Sequence, residues 1–142
     1  MRALLDINVL IALHDRDHVH HVRAATWFEA NAAQGWASCP LTQNGCLRIM
    51  NQPGYAKPQP LAHLLAMLLR STSAPVHQFW SDDNSLLDAT RFNHAHMHSH
   101  GQLTDLYLLG LAVKHKGRFV SFDQRIPLTP VMGAQASHFV TL

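Results

Sequence analysis

The chain has 142 residues, 47% apolar and 14% charged, a balance that excludes a disordered polymer and favours one domain with a real core. Its formal net charge is +2 with histidine neutral and no long basic run appears, so a nucleic-acid partner is permitted without being demanded. Two cysteines, no convincing secretory cleavage site and no apolar run near the ~18 residues of a membrane span lead us to expect a soluble, cytoplasmic protein with reduced thiols.

The run "RALLD" (2–6) reads as a buried strand ending in an aspartate. "NVLIALHD" then gives a short helix and "HVHHVRAATWFEANAAQ" (18–34) a longer one, stopped by Gly35. "WASCP" (36–40) is a second strand, and "LTQNGCLRIMNQPG" (41–54) a helix opening near Thr42, although Gly45 weakens it. After the bend "KPQP", residues 61–72 form a helix and "PVHQFW" (75–80) a third strand. "SDDNSLLDATRF" (81–92) begins with residues suited to cap a further helix. The clearest helix is "LTDLYLLGLAVKHKG" (103–117), with Leu106, Leu109 and Val113 on one face and Gly117 at its C-terminal cap. "RFVSFD" (118–123) and "SHFVTL" (137–142) complete the strands. Alternating strands and helices predict an α/β domain whose central sheet is mostly parallel and flanked by helices.

Ligands of such sheets collect at the carboxyl ends of the strands. Asp6 and Asp123 each follow a strand, and Asp105 opens the helix that feeds the second of those strands. Three convergent carboxylates repel one another unless a hard cation lies between them, and Mg²⁺ or Mn²⁺ suits oxygen ligands. Such a centre activates water and supports phosphoryl displacement. Each acid also has a structural role open to it: Asp6 as the cap of a helix at Asn8, Asp105 as a favourable first-turn acid, Asp123 as the start of a turn.

The phrases "LLDINVLIAL", "CPLTQNGCLRI", "GQLTDLYLLGLA" and "FVSFDQRI", in that order, resemble a PIN domain, and among PIN domains the VapC-type toxins of VapBC toxin–antitoxin modules. The resemblance runs from Met1 to about Ile126 and implies a single PIN-like domain over residues 1–142. It further implies a Mg²⁺- or Mn²⁺-dependent endoribonuclease, a homodimer, and inhibition by a cognate VapB-type antitoxin. Under the resemblance Asp6, Asp105 and Asp123 are the metal ligands, and Thr104 is either a hydroxyl orienting a ligand or an N-cap. The chain departs from the family at Gln43, where "TQNG" stands in place of a Glu-containing phrase. An amide oxygen can still meet a cation or its water, so Gln43 is counted with the catalytic set, but it brings no charge. Glu29, the sole glutamate, reads as a surface residue.

"HAHMHSH" places His94, His96, His98 and His100 at alternate positions. It can be an exposed polar segment, an adventitious zinc ligand set without the cysteines that structural zinc favours, or a source of imidazoles for RNA phosphates and bases. Lys114, Lys116, Arg118 and Arg125 surround the Asp105–Asp123 stretch in sequence, and with Arg48 they either solvate a surface or guide an RNA backbone. Two further readings compete with the ribonuclease. One is a weakened PIN domain that mainly binds RNA or an antitoxin, and the other a metal phosphatase or DNA nuclease.

Overall fold

The computed structural model describes residues 1–142. At its centre lie five parallel strands, β1 (Ala3–Leu5), β2 (Trp36–Ser38), β3 (His77–Phe79), β4 (Arg118–Ser121) and β5 (Phe139–Thr141), in the order β3-β2-β1-β4-β5. Leu4 pairs with Ala37 on one side and with Phe119 on the other, so β1 is central and buried on both faces, as its unbroken apolar run requires.

The side-chain alternation of the strands divides the core in two. Leu4, Ala37 and Phe119 pack against Leu106, Leu109 and Ala112 of helix α5 (Leu103–Lys114). Ala3, Leu5, Trp36 and Val120 face the other way, onto Val9 and Leu10 of α1 (Ile7–His14), Met50 of α3 (Pro40–Asn51) and Leu64 of α4 (Leu61–Thr72). Helix α2 (His21–Asn31) joins the α1 side through Trp27 and Phe28. The result is a helix–sheet–helix sandwich.

Two details set the architecture near the carboxyl edge. Helix α3 opens at Pro40, earlier than Thr42, because proline costs nothing where the N–H has no helical partner. Thr42 instead accepts a hydrogen bond from the Cys39 N–H at 3.0 Å and closes the cap. Gly45, which weakens the helix by propensity, is required by packing: a Cβ there would stand 2.5 Å from Cδ1 of Ile7. Helices α1 and α3 therefore touch right beside Asp6.

The end of α5 differs from expectation. Lys116, not Gly117, takes the left-handed conformation, with φ 54°. Gly117 is needed for close approach instead, since a Cβ would meet the Arg2 carbonyl oxygen at 2.7 Å.

Residues 81–92 do not form the expected helix; they run in turns. Two of their acids are engaged with other parts of the chain and the third within the segment itself. Asp82 accepts the Leu41 N–H at the start of α3 (3.0 Å), Asp83 pairs with Lys114 (3.0 Å), and Asp88 takes both the N–H and hydroxyl of Thr90. Buried Phe92 pins the segment through a bridge to Val131.

Cys39 and Cys46 are free and buried, and burial pushes their thiols up to about 11 and about 12. No helix is long and apolar enough to cross a membrane.

Candidate active site

Because all five strands are parallel, the residues that follow β1 and β4 emerge at one edge of the sheet. Asp6 follows β1 directly and caps α1, its Oδ1 accepting the Ile7 N–H at 2.7 Å. Capping and a place in the acidic group are thus compatible. Its Oδ2 accepts a hydrogen bond from the Ser121 hydroxyl at 2.8 Å. The same hydroxyl oxygen accepts the Asp123 N–H at 3.1 Å. Ser121, itself buried at the end of β4, thereby ties the β1 and β4 acids together. Sequence reasoning missed it; the available signal was a lone hydroxyl ending an apolar strand two residues before an aspartate.

Asp105 lies in the first turn of α5 and lines a cleft of about 350 Å³ with Asp123, Arg125, Ser99 and Gln102. Burial is the main cause that pushes its carboxyl up to about 6, followed by the charges of Asp6 and Asp123. Asp6 is raised too, by burial first, against the lowering effect of its bonds to Ser121 and Ile7 and with a further rise from Asp123. The three expected acids are therefore within electrostatic reach of one another.

Compensation by cations is thin. The one ion pair among them is Arg125 Nε to Asp123 at 3.8 Å, from an exposed arginine. Gln102 Oε1, on the same cleft, is buried without a hydrogen-bond partner. Repelling carboxylates beside an unpaired oxygen form a donor set that fits a hard divalent cation. They are not yet a closed cage, since no three acidic, histidine or cysteine side chains are close enough to hold an ion between them.

Other expected residues are placed elsewhere. Gln43 donates from Nε2 to Ser38 Oγ at 2.9 Å, and Ser38 Oγ also bonds His77 Nε2 at 2.8 Å. Its side chain borders the apolar groove of Leu47, Leu65 and Leu69 between α3 and α4, not the acidic cleft. Thr104 is not the cap of α5, a position held by Gln102. It opens onto a neighbouring hollow of about 450 Å³ with Asn44, Arg48 and Asp82. Glu29 is exposed on α2.

Of the basic residues, only Arg125 reaches the cleft. Lys114 is paired with Asp83. Arg118 begins β4, at the far edge of the sheet, where it covers the Trp27 ring at 5.1 Å and donates to Asn31. Lys116 precedes it there. Among the histidines, His94 Nε2 bonds the Leu86 carbonyl at 2.8 Å, and the rings of His96 and His98 lie edge to face at 6.5 Å.

Residues 3–131 match the PIN domain family. Ribonuclease VapC44 of Mycobacterium tuberculosis is 52% identical over all 142 residues, covering both chains in full. Ribonuclease VapC39 of the same organism is 39% identical, with 87% of this chain and 89% of that protein covered. Ribonuclease VapC38 is also 39% identical, over 91% of this chain and 95% of that one. In shape, the chain resembles the crystal structure of VapBC2 from Rickettsia felis bound to a promoter DNA fragment, with TM-score 0.58, 10% identity, and 89% and 94% of the two chains covered. A parallel sheet bearing these acids, a matching family domain and full-length kinship together establish that the chain belongs to the PIN-domain family, with the VapC proteins.

Proposed function

We propose that the protein is an endoribonuclease, the toxin of a toxin–antitoxin pair, that hydrolyses RNA phosphodiester bonds at Asp6, Asp105 and Asp123. The observation that carries this reading is that carboxylates following β1 and β4 and opening α5 stand within electrostatic reach of one another, with Asp105 pushed up to about 6 by burial and its acidic neighbours. These residues would hold Mg²⁺ or Mn²⁺, which supplies an activated water and neutralises charge on the phosphate during in-line displacement. The chain's own groups prepare the place. Ser121 fixes the direction of the Asp6 carboxylate, and Arg125 stands on the cleft to meet a phosphate oxygen. Arg48 offers a second cation on the adjoining hollow.

The named activity of the 52%-identical relative supports RNA as substrate. A VapB-type antitoxin as partner is supported by the VapBC complex that shares the fold. Exposed Leu61, Leu65 and Leu69 on α4 supply apolar surface that a homodimer or the antitoxin would cover. The weakened-enzyme reading rests on Gln43, whose amide is bound to Ser38 outside the cleft, so it gains no support there.

The test is cleavage of a mixed RNA panel with Mn²⁺ or Mg²⁺, together with single- and double-stranded DNA and a phosphomonoester. RNA cleavage that is lost with EDTA and with Asp6→Asn supports the proposal. Cleavage of DNA or the monoester alone would replace it with the nuclease or phosphatase reading.

A further inference from the structure

The hollow of about 450 Å³ onto which Thr104 opens adjoins the acids from the α3 side. Two of its lining residues are chain neighbours of the acids. Ile7 gives its N–H to Asp6 Oδ1 at 2.7 Å, and Thr104 precedes Asp105. A strand whose phosphate lies at the acids therefore has room for an adjacent nucleotide in the hollow, with no movement of the chain.

The walls carry the groups that a nucleotide needs. Asn44 and Arg48 lie one turn apart on α3, and both are exposed. Arg48 pairs with none of the chain's carboxylates, so its guanidinium is free for a phosphate. Ile7 and Leu41 are half-buried and offer aliphatic surface to the face of a base. Asp82 stands on the same hollow, its Oδ2 accepting the Leu41 N–H at 3.0 Å. A carboxylate keeps further lone pairs for a second donor. The volume lies within the roughly 300–1,000 Å³ of small-molecule sites.

Asp82 sets the choice of base. An ionised carboxylate only accepts, so it bonds an exocyclic amino group such as cytosine N4 and repels a carbonyl oxygen in that place. Uracil carries O4 where cytosine carries its amino group. Asn44 has both a donor and an acceptor, so it meets the neighbouring ring nitrogen of either base and adds affinity without choice. Such edge readout needs a base turned out of any stack, as in single strands and loops.

We infer that the hollow binds the nucleotide next to the scissile phosphate of single-stranded RNA, Arg48 holding a phosphate and Asn44 and Asp82 the base edge. Asp82 selects an amino-bearing base, cytosine or adenine, over uracil. The place beside the cut rests on the ribonuclease reading; the binding preference does not.

The first experiment titrates CMP and UMP separately into the nitrogen-15-labelled full chain in EDTA and follows its NMR signals. CMP is expected to move the signals of Asn44 and Gly45, with affinity roughly tenfold above that of UMP. Asp82→Asn keeps an acceptor for the Leu41 N–H and adds a donor for O4, and should bring the two affinities within about twofold. Arg48→Ala should weaken both by the same factor, since a phosphate contact carries no base information. Far-UV circular dichroism checks that each variant is folded. Equal affinities in wild type overturn the selection, as does a preference that survives in Asp82→Asn. CMP that leaves Asn44 and Gly45 unmoved overturns the subsite.

The second experiment cleaves single-stranded RNAs in Mn²⁺ that differ only in C or U beside the mapped cut. Wild type should favour C roughly tenfold in kcat/KM, and Asp82→Asn should show no preference. Arg48→Ala should lower both and reduce the log–log salt slope by about 0.7. A CMP preference in binding with no base preference in cleavage overturns the place beside the scissile phosphate. If no RNA is cleaved under any condition, the ribonuclease reading fails, while the nucleotide titrations still decide whether the subsite exists.

Discussion

Replacing Asp105 by Asn is expected to stabilise the metal-free protein and to remove its response to Mn²⁺. The Asp105 carboxyl rises from 3.8 to about 6 through burial and the charges of Asp6 and Asp123. A rise of roughly two units corresponds to about 3 kcal/mol against the ionised form at neutral pH. Asp105 is only half-buried, so solvent screening reduces this to about 1.5 kcal/mol. Losing a negative charge in the first turn of α5 costs about 0.5 kcal/mol. The net gain is about 1 kcal/mol, or about 3 °C in Tm for a chain of this size.

The sign follows from linkage. A carboxylate whose folded pKa is raised penalises the native state above about 6, and the penalty disappears as pH falls toward the unfolded value of 3.8. The advantage of Asp105→Asn should therefore be full at pH 7.5 and largely gone at pH 4.5. Other acids shift too, so the difference between the two proteins is the quantity to follow. Mn²⁺ at a hundred times its Kd should stabilise wild type by about 2.7 kcal/mol and leave the variant nearly unmoved. Thermal melts in EDTA and in Mn²⁺, at both pH values, measure all of this. A variant that melts below wild type in EDTA at pH 7.5 would refute the electrostatic argument, and a retained Mn²⁺ shift would remove Asp105 from the ligand set.

Three further outcomes are expected. Ser121→Ala leaves Asp6 Oδ2 and the Asp123 N–H without their shared partner; it should cost about 1–2 kcal/mol in urea unfolding and lower Mn²⁺-dependent cleavage at least tenfold. Gln43→Glu should leave Mn²⁺ affinity within about twofold of wild type, because the side chain bonds Ser38 and not the cleft; a tenfold tighter Mn²⁺ titration would show that the carboxylate reaches the acids. Cys39 and Cys46, with thiols raised to about 11 and about 12, should resist alkylation at pH 8 in the native protein and react fully in denaturant; mass spectrometry after a timed iodoacetamide pulse reads this.

The acids were legible in the sequence because their positions follow from strand direction alone. An aspartate that ends an apolar run in a parallel sheet has one edge to go to, and Asp6 and Asp123 both went there. Nearness in sequence leaves the basic residues open to two readings, a solvated surface or the site, and of the four around Asp105 and Asp123 only Arg125 reaches the cleft. Arg118 and Asp123 are five residues apart, and at about 3.3 Å per residue a strand separates them by about 16 Å. Strand β4 carries Arg118 to one edge and Asp123 to the other. Residues 81–92 depart from the expected helix for a related reason: Asp82 has the composition of a local cap, but the N–H it accepts is that of Leu41, 41 residues earlier in the first turn of α3. Gln43 shows the limit of motif matching, which supplies a position on α3 but no side-chain direction.

The same strand geometry explains the electrostatics of the whole molecule. Parallel strands gather Asp6, Asp82 and Asp123 at the carboxyl edge, joined by Asp105 from α5, while Arg2, Lys116 and Arg118 collect at the opposite edge. Arg2 confirms the sorting by donating to the Val76 carbonyl before β3. The net charge of +2 therefore says little about the field at the cleft, which is negative despite it. An RNA strand, the proposed substrate, meets repulsion there, countered locally only by Arg125 and, in the adjoining hollow, Arg48. A divalent cation between the acids would reverse the local sign before the phosphate arrives. On the proposed reading a cation would serve RNA binding at the cleft as well as cleavage, and the Ser121 hydroxyl already holds the buried Asp6 carboxylate in one direction.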